Sequence, residues 1–216
     1  MLVAVEGVDG SGKGTQTRLL EERARASGCS VVTFSFPRYG HNAFGDLAGR
    51  YLNGDFGDAP PELVALVYAG DRWMARAEIL TALAAADVVV CDRYVASNEA
   101  HQGSRIDASE RGAFFDWLES IEFGLYELPR PALTVLLDIP PETASELVLK
   151  KEARSYTQLA QDILENPAHG ATARDVYRLL AERGPNWRVV DATRGGELRA
   201  PEDIADEVWE AVRSLL

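Results

Sequence analysis

A glycine-rich loop near the start of the chain constrains the fold more than any other stretch. It covers residues 7–15, with the sequence GVDGSGKGT, and lies between an apolar run at 2–5 and a helical pattern at 16–24. Strand, glycine loop and helix in this order are typical of a phosphate-binding loop. Glycines let successive backbone N–H groups converge on one anion, and the following helix adds the positive end of its dipole. The stretch predicts nucleotide binding but leaves the reaction open.

The loop departs from the usual pattern at one position. A serine or threonine that binds Mg²⁺ normally follows the lysine, whereas Gly14 follows Lys13 here and Thr15 comes one place later. We therefore expect carboxylates, water and the nucleotide to hold the metal. The residues predicted to bind ATP are Gly7, Val8, Asp9, Gly10, Ser11, Gly12, Lys13, Gly14 and Thr15.

Composition narrows the class of protein. The chain has 216 residues, of which 46% are hydrophobic, and this is enough for one globular domain with a full core. A net charge of −12 argues against nucleic acid and against an anionic membrane surface as partners. Because a strand begins at residue 2 and no apolar run is long enough to span a membrane, we expect neither a signal peptide nor a membrane anchor. Cys29 and Cys91 are expected to be reduced thiols of a cytoplasmic protein.

Hydrophobic periodicity predicts strands that alternate with helices. Strands are expected over residues 2–5, 31–36, 88–92, 133–138 and 187–191. Helices are expected over residues 16–24, 44–53, 61–86, 109–124, 141–151, 171–183 and from 201 onward. This alternation predicts an α/β fold with a five-stranded parallel sheet that carries helices on both faces. Ligands bind at the carboxyl ends of the strands in such sheets.

Cations follow several of these strands. Arg38 comes after the second strand, Arg93 after the third, and a basic segment at 150–154 comes after the fourth, while Arg72 lies in the long helix. Arginine suits phosphate because its planar fork matches a pair of phosphate oxygens. In an acidic chain, cations collected at one edge of the sheet predict a site for an anionic substrate.

Taken together, the motifs resemble bacterial thymidylate kinases, in their actinobacterial form. The matching segments, in the family's order and spacing, are EGVDGSGK at 6–13, FPRY at 36–39, DR at 71–72, DRYVASN at 92–98, and LPRP at 128–131 before LLD at 136–138. Residues 150–185 match only in outline. The resemblance implies a P-loop nucleoside monophosphate kinase fold, in a single domain over 1–216 with a short lid at about 150–166. It also implies that ATP gives its γ-phosphoryl group to dTMP, with Mg²⁺.

The resemblance assigns roles to individual residues. Lys13 holds the donor phosphates, Arg93 bridges the acceptor phosphate and the transferred group, and Asp9 approaches the 3′-hydroxyl of dTMP and helps with the metal. The catalytic set is Asp9, Lys13, Arg93 and Arg154, and the metal set is Asp9 and Glu165. The substrate-binding set is Asp9, Phe36, Pro37, Arg38, Tyr39, Tyr68, Arg72, Arg93, Ser97, Asn98, His101 and Gln102.

Within that set, four side chains are assigned to the base, and Arg38 is assigned to the acceptor phosphate together with Arg93. Tyr68 stacks on thymine and Phe36 lines the pocket. Arg72 donates to the base carbonyl O4 and Asn98 pairs with the ring at N3. The resemblance also implies a cis peptide between Phe36 and Pro37, in a turn that aims Arg38 at the acceptor phosphate.

The sequence departs from the family at several positions. Gly10 stands where many members have an arginine, so we expect the lid to supply this cation from Lys150, Lys151 or Arg154, with Arg154 preferred. His101 stands where most members have tyrosine or phenylalanine beside the sugar. We expect a stacked or hydrogen-bonded imidazole there, able to become charged at mildly acidic pH. His41 and His169 are expected at the surface.

Other functions and an assembly state remain open. Residues 12–16 also resemble adenylate kinase, which lacks the acid at position 9 and the YVASN stretch. A non-enzymatic nucleotide switch would explain Lys13 but not the cations assigned to the acceptor. The family forms homodimers through the long helix and the helix near 110–124, so Phe114, Phe115 and Trp117 belong either to a dimer contact or to the core.

Overall fold

The computed structural model of the chain describes residues 1–149 and 167–216. Its main sheet contains β1 Leu2–Glu6, β2 Val31–Ser35, β3 Val88–Asp92, β4 Leu133–Asp138 and β5 Trp187–Asp191. All neighbouring strands are parallel, in the order β2-β3-β1-β4-β5. The predicted five-stranded parallel sheet is confirmed. A short antiparallel hairpin, β6 Thr193–Arg194 with β7 Glu197–Leu198, was not predicted.

Eight α-helices lie in the described residues. They are α1 Lys13–Ala26, α2 Ala43–Leu52, α3 Pro61–Ala85, α4 Val95–Gly103, α5 Arg111–Glu119, α6 Pro141–Leu149, α7 Pro167–Arg183 and α8 Pro201–Arg213. A π-helical turn, Ser120–Leu125, directly follows α5. The pattern over 109–124 predicted one helix, and the chain is helical over 111–125, but its hydrogen bonding changes from α to π at Ser120. Helix α7 begins four residues before its predicted start at 171.

Helix α4 was not predicted, and its burial explains why. All nine of its residues are buried. Five of them, Ser97, Asn98, Glu99, His101 and Gln102, are polar, so the apolar periodicity that reveals a surface helix is missing. The helix begins two residues after Arg93, which carries a φ of 68°. Tertiary contacts therefore decide the conformation of the segment that follows β3.

The core lies on both faces of the sheet. Val3 and Val5 of β1 belong to one cluster with Leu20 of α1 and Val208 of α8. The alternate residues of β1 belong to a second cluster with Ile79 of α3. This alternation follows from the two-residue period of a strand. Helices covering both faces leave the carboxyl edge of the sheet to carry the polar loops.

The aromatic residues left open between core and dimer contact belong to the core. Phe114 and Phe115 are 6% and 1% exposed and pack in the larger cluster, with Trp117 partly buried against it. Cys91 is buried in β3, Cys29 is half-buried, and neither forms a disulfide. None of the helices within 1–149 and 167–216 combines the length and the apolar composition required to cross a membrane.

Candidate active site

The phosphate loop connects β1 to α1, as the sequence predicts. Lys13 is 7% exposed, and its Nζ donates to the carbonyl oxygens of Gly7 and Val8 at 2.8 Å each. Gly10 has a φ of 85°, and a Cβ built there would lie 2.1 Å from the carbonyl oxygen of Ala144 in α6. Because α6 packs this closely, an arginine cannot replace Gly10 without moving that helix. This contact gives a structural reason for the departure from the family at this position.

Arg93 connects the loop to the opposite side of the crevice. Its Nη2 donates to Asp9 Oδ1 at 2.5 Å. Its Nη1 lies 3.3 Å from Ser97 Oγ and 3.2 Å from His101 Nε2, with Gly7 O at 3.4 Å. The left-handed backbone at Arg93 costs on the order of 1–3 kcal/mol, and conformations of this kind cluster at functional sites. The structure thus brings three predicted site residues, Asp9, Arg93 and Ser97, to one place.

Glu6, the last residue of β1, anchors the segment that carries this side of the site. Its carboxylate is fully buried and accepts from the backbone N–H groups of Tyr94 at 2.7 Å and Ser97 at 3.2 Å. It also accepts from the hydroxyls of Ser97 at 2.5 Å and Tyr177 at 3.0 Å. An acidic side chain at the start of a helix satisfies free N–H groups and matches the helix dipole. Glu6 therefore fixes α4, and with it Arg93, relative to the phosphate loop.

Two other predicted residues, Arg72 and Asn98, meet on a buried carboxylate. Nε and Nη2 of Arg72 each donate to Glu122 at 2.5 Å, and the two side chains are 2% and 0% exposed. Nδ2 of Asn98 donates to Glu122 Oε1 at 3.0 Å and to Ala65 O at 2.9 Å. Since both partners of Nδ2 are acceptors, the orientation of the amide is determined. Asn98 Oδ1 is buried and has no partner among the described residues.

The turn after β2 carries the predicted acceptor-phosphate residue. The peptide between Phe36 and Pro37 is cis, which confirms that prediction. Asp71 of α3 holds the turn by accepting from the N–H of Arg38 at 2.8 Å. The guanidinium of Arg38 makes two hydrogen bonds to Glu78, at 3.0 and 2.9 Å. In this structure Arg38 therefore contacts an exposed carboxylate at the rim of the site.

The remaining predicted binding residues pack among β2, α2, α3 and α4. Phe36 is 3% exposed and stacks on Phe34, with ring centroids 6.5 Å apart. Tyr39 and Tyr68 are partly buried against a small cluster formed by α2 and α3. Gln102 is 1% exposed and accepts from Arg105 at 3.3 Å. Stacking of Tyr68 on the base stays a prediction.

His101 adopts the predicted stacked and hydrogen-bonded arrangement. Its ring stacks on that of His169, with centroids 5.4 Å apart and planes 26° apart. Two further expectations about histidines are wrong. Burial, followed by the charge of Arg93, lowers the pKa of His101 well below 6.5, so mildly acidic pH does not charge the ring. His169 is half-buried rather than at the surface, because it packs on His101, whereas His41 is exposed as expected.

Carboxylates suited to a metal lie near the mouth of the loop, although residues 1–149 and 167–216 contain no group of three metal ligands. Asp9 lies in the loop itself, and Asp92 Oδ2 lies 3.8 Å from where a Cβ on Gly14 would be. Mg²⁺ prefers oxygen ligands and commonly binds through one or two carboxylates, phosphates and water. The oxygen donors present fit Mg²⁺. The predicted lid residues Lys150, Lys151, Arg154 and Glu165 lie outside the described residues.

Sequence reasoning assigned no role to four side chains that shape the site: Glu6, Asp92, Glu122 and His169. For Glu122 a signal was present, because it follows the buried Leu118 by four residues on one helical face. A carboxylate on an apolar helix face is buried when that face packs, and it then requires a cationic partner. Arg72 is such a candidate in the sequence. His169 had no such signal, because its partner is 68 residues away in the sequence.

The whole chain was compared with known proteins. The sequence profile of the family described as thymidylate kinase matches residues 5–201. The chain is 37% identical over 213 residues to the thymidylate kinase of Mycobacterium tuberculosis, covering 94% of this chain and 99% of the relative. It is 35% identical over 221 residues to the thymidylate kinase of Thermomicrobium roseum, covering 99% and 95%.

A solved structure extends the likeness to the fold. The thymidylate kinase of Candida albicans superposes with a TM-score of 0.76 at 21% identity, covering 99% of this chain and 91% of that one. At this identity the match supports the fold alone, and it confirms the predicted P-loop kinase architecture. The profile and the bacterial relatives show the family independently. They confirm the resemblance found in the sequence, including its actinobacterial type: the chain belongs to the thymidylate kinase family.

Proposed function

We propose that the protein transfers the γ-phosphoryl group of ATP to dTMP, giving dTDP and ADP, with the described residues in the roles that follow. A bond from phosphorus to an oxygen of the dTMP phosphate forms as the bond to the bridging oxygen of ATP breaks. Such transfer depends on positioning and on charge stabilisation rather than on covalent catalysis. The protein must therefore place two anionic substrates in line and neutralise them.

Donor phosphates bind in the loop over residues 7–15. Converging backbone N–H groups and the N-terminus of α1 provide the cradle. Ser11 Oγ is buried with no partner in the described residues, so a phosphate oxygen can satisfy it. Lys13 already lies in the loop, held by two carbonyl oxygens, and exchanges them for the outer phosphates.

Arg93 lies between donor and acceptor. Its guanidinium touches Asp9 of the loop and Ser97 of the acceptor side, so it can contact both the dTMP phosphate and the transferred group. Arg38 releases Glu78 and binds the acceptor phosphate from the side opposite Arg93. Arginine is effective in both positions because charge-assisted, two-point hydrogen bonds to phosphate are strong.

Mg²⁺ would be held by Asp9 and Asp92 together with water, and by Glu165 if the predicted lid contact forms. When bound, the metal neutralises charge on the β- and γ-phosphates. Gly14 offers no hydroxyl to the metal, and the space beside Asp92 Oδ2 is compatible with water-mediated binding. Arg154 stays our predicted lid donor.

The free acceptor atom of Asn98 is the observation that carries the choice of base. Oδ1 is buried and has no partner among the described residues, and the two hydrogen bonds from Nδ2 fix the orientation of the amide. Thymine presents a donor at N3–H beside the acceptor O4, and Arg72 Nη1 lies outside the pairing with Glu122. Cytosine and adenine present the opposite pattern. A buried acceptor facing another acceptor loses its hydrogen bond and is strongly disfavoured.

The test is an ADP-release assay with dTMP, dUMP, dCMP or AMP as the only acceptor. We expect kcat/KM for dTMP to exceed that for dCMP and AMP by about 10²-fold or more, with dUMP between them because it retains the N3–H edge. In Asn98→Ala the preference for dTMP over dCMP should fall by about tenfold. Comparable kcat/KM for dTMP and AMP in the wild type would contradict the proposal.

We further infer a homodimer that uses α3. Leu63, Trp73 and Met74 are 55%, 47% and 49% exposed along one side of this helix. Apolar side chains exposed in a row commonly mark an interface. Light scattering should give twice the chain mass for the wild type and a monomer for Met74→Asp. A monomeric wild type would reject the dimer.

We place the protein in the cytoplasm, in keeping with two unpaired cysteines.

A further inference from the structure

A chain of hydrogen bonds runs from Arg93 through two histidines to Ser104. Arg93 Nη1 lies 3.2 Å from His101 Nε2. His101 Nδ1 lies 3.2 Å from His169 Nε2, and His169 Nδ1 lies 3.3 Å from Ser104 Oγ. Ser104 Oγ in turn donates to the carbonyl oxygen of His101 at 2.8 Å. The hydrogen-bond chain joins α4 to the first turn of α7, and two of its members, His169 and Ser104, lie outside the set of residues that the family resemblance assigned.

The chemistry of the two ends gives the chain a direction. The guanidinium of Arg93 can only donate, so His101 Nε2 must accept and carries no proton. The proton of neutral His101 is then on Nδ1, which donates to His169 Nε2. His169 in turn carries its proton on Nδ1 and donates to Ser104, whose hydroxyl proton is directed to the His101 carbonyl. Each hydrogen bond fixes the position of the proton in the next one, so a single arrangement of protons satisfies all four residues.

Both rings are held neutral, as this arrangement requires. Burial and then the Arg93 charge lower the pKa of His101, with His169 and Lys13 acting in the same direction and Asp9 opposing them. Burial also lowers the pKa of His169, again against Asp9. Tyr177 of α7 meets the His101 ring edge-on, with centroids 6.0 Å apart, and burial raises the pKa of this phenol well above 10. Burial of both rings, with the charge of Arg93 beside His101, therefore favours the uncharged pair near neutral pH.

We propose that His169 is a positioning residue, which fixes the Nδ1–H tautomer of His101 and thereby keeps His101 Nε2 as an acceptor for Arg93. The orientation of a histidine is commonly determined by the hydrogen bond that its other ring nitrogen makes. Without His169 Nε2, the proton of His101 can move to Nε2 and point at a guanidinium. Arg93 then loses a partner at the point where it must face both phosphates.

One part of this inference rests on the proposed function, namely the role of Arg93 in phosphoryl transfer. The tautomer of His101 does not depend on that role. The experiment therefore combines a spectroscopic measurement on the ligand-free protein with steady-state kinetics, and each can fail without the other.

The spectroscopic measurement uses ¹⁵N-labelled histidine. The chain has three histidines, so His41→Ala and His169→Phe assign the ring signals by omission. We expect His101 to be protonated at Nδ1 in the wild type and in His41→Ala, and to shift toward the Nε2–H form in His169→Phe. His101 protonated at Nε2 in the wild type, or unchanged in His169→Phe, would overturn the proposal.

The kinetic measurement separates hydrogen bonding from ring packing. His169→Phe keeps a ring but removes the acceptor, whereas His169→Gln removes the ring and keeps an acceptor at about the same reach. We expect kcat to fall about fivefold to tenfold in His169→Phe, the size of one lost hydrogen bond, with KM for ATP changing less than about twofold. His169→Gln should recover most of the loss, and His41→Ala should match the wild type.

Two further outcomes decide between the inference and the proposed function. Wild-type kcat in His169→Phe, or a larger loss in His169→Gln than in His169→Phe, would show that His169 acts by packing and would overturn the proposal. Wild-type kcat in Arg93→Ala would instead reject the role of Arg93 in transfer. In that case the ring-nitrogen signals alone decide whether His169 orients His101, and melting temperatures show whether each variant is folded.

Discussion

The residues assigned to the phosphates (the phosphate side) and those assigned to the base (the base side) hold their cations in different ways. On the phosphate side, Lys13 pairs with carbonyl oxygens of its own loop and Arg38 with Glu78, whose side chain is 57% exposed. On the base side, Arg72 is bound to Glu122 with both side chains almost fully buried. The first set of partners can be replaced by a ligand, whereas the second cannot be opened without leaving charge unpaired in the interior.

This difference matches what each side would recognise in the proposed reaction. Phosphates are negatively charged. A cation whose protein acceptor is easily displaced can therefore bind the substrate instead, at little cost in free energy. A pyrimidine is neutral and is distinguished by the direction of its hydrogen bonds, which requires donors and acceptors that do not move. The buried pair of Arg72 and Glu122 provides that rigidity and also orients Asn98.

The largest expected effect comes from breaking the pair on the base side. Glu122→Ala leaves Arg72 buried without its partner and should lower the free energy of unfolding by about 3–5 kcal/mol. The matched change on the phosphate side, Glu78→Ala, should cost at most about 1 kcal/mol, because that pair is exposed to solvent. Urea unfolding of both variants measures the difference. Equal losses would show that the two sides are not held differently.

Removing the cations of the phosphate side should affect rate rather than stability. We expect Lys13→Ala and Arg93→Ala each to lower kcat by about 10²–10³, since each stabilises charge that develops during transfer. Their melting temperatures should stay near that of the wild type. Rapid-quench and steady-state assays with saturating dTMP measure the rates. Turnover at the wild-type level in a folded variant would remove that residue from the catalytic set.

Glu99, beside Asn98 on α4, is a buried carboxyl group that makes the stability of the base side depend on pH. Burial raises the pKa of its carboxyl to about 8, and Glu119 and Glu122 add to the shift. Because the folded state holds this proton more tightly than the unfolded state does, the wild type loses stability as pH rises from about 4.5 to about 8.

Glu99→Gln stays neutral throughout that range. Its advantage in unfolding free energy over the wild type should therefore be roughly 1–2 kcal/mol greater at pH 8 than at pH 6. Thermal unfolding at the two pH values gives the comparison. An advantage that does not change with pH would mean that Glu99 is not protonated in the folded protein near neutrality.

The smallest expected effect concerns recognition of the sugar of dTMP, which joins the base to the phosphate. His101 replaces a larger ring of the family, so we propose that the barrier against ribose is lower in this protein. His101→Tyr should raise the ratio of kcat/KM for dTMP to that for its ribose counterpart by about tenfold or less. The ratio is the right measure, because any disturbance of Arg93 slows both substrates alike. An unchanged ratio would show that His101 does not discriminate at the sugar.

The parts of this protein that could be predicted from its sequence are those made by neighbouring residues. A strand, a glycine loop and a lysine at the start of a helix form one local unit, so the phosphate loop over residues 7–15 and its place at the sheet edge were accessible. The alternation of apolar runs likewise predicted the parallel sheet. The family resemblance added the substrate and the cis peptide after Phe36.

Only the tertiary structure decided which partners the site residues take. Arg72 meets Glu122 across 50 residues, Tyr94 meets Glu6 across 88, and His101 meets His169 across 68. Periodicity reports which face of an element is buried, but not which buried faces meet. A buried charge or donor must find a partner wherever the fold brings one. The local motifs therefore predicted where phosphate binds, while packing of distant elements decided the partners of Arg72, Asn98 and Arg93.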